Sequence, residues 1–131
     1  MINYKINMPI SPQDIAHVLQ SSGIKRPYDD LDRIEKMFSH SNIVVSAWNG
    51  DELVGIARSI TDYYYCCYLS DLAVSAPFQQ RGIGKELIAI TQQFVGDQVA
   101  LILLSSKQAM DYYPNIGFTK LDNAFRIPRK H

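Results

Sequence analysis

The sequence predicts a mixed α/β domain: a mostly antiparallel sheet with one parallel strand pair, packed by about four helices. Three observations carry this. Short β-rich runs follow one another through Tyr63–Ser75 and are joined by turn signals. An amphipathic helix then follows directly, with Ile83, Leu87, Ile90 and Phe94 at helical spacing. A near-continuous apolar run, Val99–Leu104, comes next. A strand, a helix and a second strand in that order imply a right-handed crossover, so strands 63–75 and 99–104 are expected to lie side by side and parallel.

Each element has a local reason. Residues 2–7 alternate and predict a first strand. Ser11-Pro12-Gln13-Asp14 is a helix start, with Ser11 as cap, Pro12 in the first turn and Asp14 facing the dipole. Ile15, Val18 and Leu19 form its inner face, and Gly23 ends it. Asp29 or Asp30 caps a second helix with Leu31, Ile34, Met37 and Phe38 inward. Residues 43–48 and 53–60 are strands joined at Asn49-Gly50, a hairpin signal. Val99–Leu104 is expected to be covered on both faces. Lys107–Tyr113 predicts a short helix stopped by Pro114, and 117–127 a last extended segment.

Composition bounds the function. The 131 residues predict one domain over 1–131, and an apolar fraction of 47% excludes disorder as the default. Acidic and basic residues balance at 13 each, so no net field draws nucleic acid or an anionic membrane. No apolar run has the length of a membrane span, and the N-terminus lacks the apolar core of a signal peptide; a cytoplasmic location is expected. Cys66 and Cys67 are neighbours that point to opposite faces of a strand, so they are expected to be buried or half-buried free thiols. With scattered histidines they form no metal site.

The informative stretch is Asp71–Val95. A strand end, Leu72-Ala73-Val74, leads through Pro77 into Gln79-Gln80-Arg81-Gly82-Ile83-Gly84-Lys85 and the helix. A helix start offers amides without partners, and glycines let an anion approach them. Arg81 adds a fixed positive charge. The glycine spacing is neither a P-loop, since Gln79 and Glu86 stand where Gly and Ser/Thr are required, nor a dinucleotide fingerprint, since Leu87 replaces the third glycine.

Gln79, Gly82 and Gly84, after a hydrophobic strand, resemble the acetyl-CoA loop of the GCN5-related N-acetyltransferases. Phe78 stands where that family often has an aromatic residue, and Gln80 where it often has glycine. A second stretch, Ala109-Met110-Asp111-Tyr112-Tyr113-Pro114-Asn115-Ile116-Gly117-Phe118, is similar to the family's later motif through Ala109, Tyr112, Tyr113, Gly117 and Phe118.

The resemblance implies the acyl-CoA N-acyltransferase fold, with the parallel pair splayed to admit the pantetheine arm. Acetyl-CoA would be the co-substrate, held by residues 79–85 and by Leu72, Ala73 and Val74. It implies direct acetyl transfer to a primary amine in a ternary complex, with Tyr113 protonating the leaving thiolate. Ser106 stands where the family often has an asparagine on the pantetheine arm. Asp71, on the strand that would abut the thioester, is the first candidate for a base or amine anchor, with a structural hydrogen-bonding role near the cofactor loop as the alternative; several family members carry a glutamate at the places of Tyr68 or Ser70, where this chain has no carboxylate. In a regular strand Asp71 would share a face with Leu69 and Ala73. The link 24–28 would lie near the acceptor entrance. A small-molecule amine is the preferred acceptor; a peptide N-terminus or lysine is the alternative, and a non-catalytic acyl-CoA-binding module the second. A homodimer is an expectation from exposed strand edges, with 117–127 pairing across a two-fold axis.

Overall fold

A computed structural model describes residues 1–131. Five strands, β1 (Ile2–Ile6), β2 (Ile43–Asn49), β3 (Glu52–Thr61), β4 (Cys66–Val74) and β5 (Ala100–Ile102), form one sheet in that order. The first three pairings are antiparallel and β4–β5 is parallel. Helices α1 (Pro12–Ser22) and α2 (Leu31–Ser39) cover one face, and α3 (Ile83–Val95) the other. A short α4 (Tyr112–Asn115) follows β5. No helix is long and apolar enough to cross a membrane.

The local signals act as expected at most ends. The Asp14 amide donates to Ser11 Oγ at 3.1 Å, and Gly23 takes the left-handed conformation that closes α1. Asp30, rather than Asp29, caps α2 by accepting from the Arg33 amide. Gly50 supplies the positive φ of the β2–β3 turn. Asp62 accepts the amides of Tyr64, Tyr65 and Cys66 and so folds the β3–β4 turn; those bonds hold its carboxyl below the usual range. Tyr64 and Tyr65 stand out in solvent on that turn.

Two cores result. Ile43, Val45, Ala57, Leu69, Ile83 and Leu87 fill the α3 side. Ile15, Val18, Leu19, Ile34, Trp48, Ile56 and Ala73 fill the α1–α2 side. Gly55 lets α3 settle close to the sheet: a Cβ there would stand 3.2 Å from Ile83 Cγ2 and 3.3 Å from Leu87 Cδ1.

Five expectations are corrected. The buried stripe of α3 is Ile83, Leu87, Ile88, Thr91 and Val95, and Phe94 is exposed. Thr91 can enter the core because its hydroxyl donates to the Leu87 carbonyl at 2.8 Å. Leu31 on α2 is likewise exposed. The run 99–104 yields only a three-residue edge strand, with Ala100 and Ile102 exposed, because no further strand lies beyond it. Pro114 sits inside the one-turn α4, after a 3-10 turn at Lys107–Ala109, and so does not end a helix over 107–113. Finally, 117–127 joins no strand.

The cysteines are free, and burial holds only for Cys67: Cys66, expected to be at least half-buried, is exposed at the start of β4. Burial pushes the Cys67 thiol above its ordinary value. A thiol-specific disulfide reagent at pH 8 is expected to modify one cysteine quickly in the folded protein and both only in denaturant. Two fast equivalents would show that the α3-side core is open at Cys67.

Candidate active site

The β4–β5 pair opens where the resemblance places a cofactor. Pairing runs only from Cys66↔Ala100 to Tyr68↔Ile102, while β4 continues to Val74. Beyond Tyr68 the β5-facing edge of β4 has no strand partner. The chain then turns through Ala76–Phe78 to the start of α3.

That start has unsatisfied donors. The first helical bond runs from the Glu86 amide to the Gly82 carbonyl, and no protein acceptor takes the amides of residues 80–85. No side chain caps α3. Gly82 is left-handed, with φ +81°, and Gln80 is also left-handed at φ +64°. The Gln80 position is one where glycine would relieve strain. Arg81 lies over the Phe78 ring, 5.1 Å from its centroid, and so stays beside this corner. Gln79 binds no empty space: its Nε2 donates to the Val74 carbonyl at 2.9 Å and the Ser22 carbonyl at 3.3 Å. It thereby ties the loop to the ends of β4 and α1. The set fits a diphosphate: a row of free amides, a helix positive pole, Arg81 and Lys85. Leu72 and Val74 flank the same corner, half-buried, with their side chains near Gly84.

A bulge shapes β4. Arg58 pairs with Asp71, and Ser59 with Leu69, so Ser70 is an extra residue on β4. The bulge shifts the alternation. Cys67 and Leu69 face α3, as do Leu72 and Val74, whereas Ala73 packs in the α1–α2 core. The expected common face for Leu69, Asp71 and Ala73 therefore breaks at Ser70.

Asp71 is completely buried and holds two guanidinium groups. Arg26, from the α1–α2 link, bonds one carboxylate oxygen through Nε and the Ser70 carbonyl through Nη2 at 2.7 Å. Arg58 bonds the other oxygen through Nε, and donates to Ser70 Oγ at 2.9 Å and Ser41 Oγ at 3.1 Å. Its guanidinium also lies over the Phe38 ring. The link 24–30 is thus latched onto the β4 bulge. Sequence reasoning left Arg26 unnamed and Arg58 unassigned, because their partner lies far along the chain.

The two tyrosines of α4 diverge. Tyr113 stacks edge-on between Tyr112 and Phe118 and packs against the α3-side core. The Tyr112 hydroxyl lies 3.6 Å from where a Gly84 Cβ would stand, at the cofactor corner. Burial raises both phenols above their ordinary value, and the neighbouring Tyr112 adds to the rise at Tyr113. Both are therefore neutral donors at pH 7. Ser106 opens the 3-10 turn after β5, exposed, with its hydroxyl unbonded.

Comparison with known proteins decides the family. A model of the acetyltransferase (GNAT) domain matches residues 14–127. The chain belongs to the GNAT acetyltransferase family. Among relatives of this GNAT chain, a GCN5-related chloroplastic N-acetyltransferase of Arabidopsis thaliana is 31% identical over 51% of this chain and 27% of its own length. An uncharacterised N-acetyltransferase of Prochlorococcus marinus is 26% identical over 81% of this chain and 61% of its own. The chain therefore spans less than two thirds of either relative. A GNAT-family acetyltransferase from Streptococcus pneumoniae superimposes with a TM-score of 0.75 at 25% identity, over 99% of this chain and 100% of its own. An aminoglycoside N-acetyltransferase solved with CoA shares the fold, with a TM-score of 0.75 at 16% identity over 100% of this chain and 96% of its own.

Proposed function

We propose that this GNAT domain transfers the acetyl group of acetyl-CoA to a primary amine of a small molecule by direct attack in a ternary complex. The observation that carries this reading is the row of unpartnered amides at residues 80–85, set beside the opening between β4 and β5. Residues 80–85 hold the diphosphate, and Ser106 offers its hydroxyl to the pantetheine arm. The free edge of β4 at Leu72–Val74 takes the arm's amides and polarises the thioester carbonyl. The amine nitrogen bonds to that carbon, the C–S bond breaks, a tyrosine hydroxyl gives its proton to the leaving sulfur, and the phenolate left behind is reprotonated through solvent by the proton that the nitrogen sheds as it becomes an amide. Asp71 acts as a positioning residue: with both oxygens held by arginines, it fixes the bulge and the link rather than accepting the amine's proton. The amine then arrives as free base, its proton passed to solvent.

The link latched across Ser70–Asp71 would lie beside a thioester held at Leu72–Val74 and narrow its approach, which favours a small acceptor over an extended peptide. The peptide reading has its own support: a soybean relative, 30% identical over 50% of this chain and 29% of its own length, is named a histone acetyltransferase. The cytoplasmic location expected from the sequence is kept as part of the proposal. The test is CoA thiol release across a panel of small amines and peptides. Small-amine turnover supports the reading. Peptide-only turnover reverses the order of acceptors. Tight acetyl-CoA binding with no release across the panel makes the domain a non-catalytic acyl-CoA module.

The acid is Tyr113 by its motif position, and Tyr112 by where its hydroxyl stands. Tyr113→Phe is expected to lower kcat about 100-fold with the acetyl-CoA KM little changed. Tyr112→Phe is expected to act mainly on KM. The reverse split transfers the acid role to Tyr112. The donating form is the neutral phenol and its folded pKa is raised. The activity this group supplies therefore persists through mildly alkaline pH and is lost only above about pH 10. Stability follows the same sign: the raised folded value makes the protein lose stability above pH 10, less so in Tyr113→Phe.

A further inference from the structure

We infer, resting on the transfer proposed above, that the acceptor is a monoamine on a short alkyl chain ending in a ring or a branched apolar group, and that Ile60, Tyr68, Ile102 and Leu104 form the floor that recognises this far end.

The floor is a row that the helices leave bare. Cys67 and Leu69 pack with the α3-side core, so Tyr68 between them faces the other side of the sheet. Ile60 on β3 is directly opposite Tyr68 and shares its face. Ile102 on β5 is also its partner, and Leu101 and Leu103 pack toward α3, which puts Ile102 on the same open side. The three residues Ile60, Tyr68 and Ile102 are 49%, 39% and 41% exposed. Leu104, just past β5, is 54% exposed. The α1–α2 layer covers this face at Ile56 and Ala73 and reaches the Arg58–Asp71 pair, and the next row is uncovered. Apolar side chains lined up across three adjacent strands make a patch, unlike apolar residues scattered singly.

Position decides the occupant. Strand β4 leads from Tyr68 to the free edge at Leu72–Val74, where the thioester is proposed to lie. Four residues of strand span about 13 Å. The β4–β5 ladder ends at the Tyr68–Ile102 pair, so the row lies at the closed end of the opening between the strands. An amine held at the thioester can lay its far end there. The patch offers on the order of a few hundred Å², enough for one ring and short of the roughly 800 Å² per partner of a stable protein interface.

The chemistry of the row selects against a second cation. None of its four side chains is charged or acidic. The two acidic residues between Ile60 and Leu72 are both committed: Asp71 to Arg26 and Arg58, and Asp62 to the amides of the β3–β4 turn. None lies between Ala100 and Met110. A second ammonium would lose water against apolar groups and gain no partner from them. A ring, by contrast, meets the Tyr68 ring and two isoleucines.

The test uses three probes: 4-phenylbutylamine, propylamine and 1,6-diaminohexane. With acetyl-CoA, kcat/KM for the aryl amine should exceed that for either of the others about 10- to 50-fold, as partial burial of a ring would give. Leu104→Glu, which supplies the missing carboxylate, should shift the preference toward the diamine about fivefold, as an exposed ion pair would give. Binding is read separately, with CoA present and the isoleucine methyls labelled for NMR. The aryl amine should move the Ile60 and Ile102 methyl resonances, and the diamine should not. If no amine is turned over but the aryl amine alone still moves those methyls, the recognition stands and the transfer reading falls. Equal or reversed preference among the probes overturns the inference. So do Ile60 and Ile102 methyls that the aryl amine leaves unmoved, and so does a folded Leu104→Glu protein that keeps the full wild-type preference.

Discussion

Gly84→Asp is expected to abolish useful acetyl-CoA binding while leaving the fold as stable as before. The geometry separates the two effects. A Cβ at Gly84 meets nothing nearer than the Tyr112 hydroxyl at 3.6 Å and the Leu72 and Val74 methyls at 3.9 Å, all ordinary contacts. A carboxylate in the first turn of α3 is favourable to the helix dipole. That same carboxylate puts a negative charge in the helix turn whose amides the diphosphate would use, directed toward Tyr112, Leu72 and Val74, and like charges brought together at a binding site cost several kcal/mol. Affinity measured by calorimetry should fall about 100-fold, equivalent to about 2.7 kcal/mol, with a midpoint of unfolding unchanged or slightly raised. Unaltered affinity would mean that the anion does not bind at this helix start.

Asp71→Asn is expected to be the most destabilising single exchange in the site. It strips the countercharge from Arg58, which is buried, and from Arg26, which is partly so. Breaking a buried pair from one side costs about 3–5 kcal/mol, because the remaining charge keeps its desolvation penalty. For a chain of this size that is a fall in Tm on the order of 10 °C. The exchange also tests the chemistry. As a positioning residue, Asp71 gives a variant whose residual activity keeps the wild-type pH profile at temperatures where it remains folded. A normal Tm with loss of the acidic limb of kcat would instead make it the base.

These two sites differ in how far the sequence exposed them. The start of α3 with its unpartnered amides was legible because it is local: Gly82, Gly84 and the adjacent helix lie within a few residues, and orphan amides follow from helix geometry alone. The caps at Ser11 and Asp30 were legible for the same reason. The Arg26–Asp71–Arg58 cluster was not, since it joins a loop to two strands across 45 and 13 residues. Strand alternation misled at the same place. One inserted residue, Ser70, turned Asp71 away from Leu69, and a bulge leaves no mark in a pattern of apolar and polar letters. The apolar run at 99–104 was read as central because hydrophobicity reports burial without saying what does the burying.

The missing side chain at Gly55 bears on the anion corner from a distance. Ile83 and Leu87 press close to where its methyl would be, and Ile83 is the first residue of the helix whose amides would face the proposed diphosphate. A single added carbon on the middle strand would act as a shim under that helix. It would press on the side chains that seat the first turn of α3, so the placing of the proposed anion corner depends from beneath on an atom the chain leaves out.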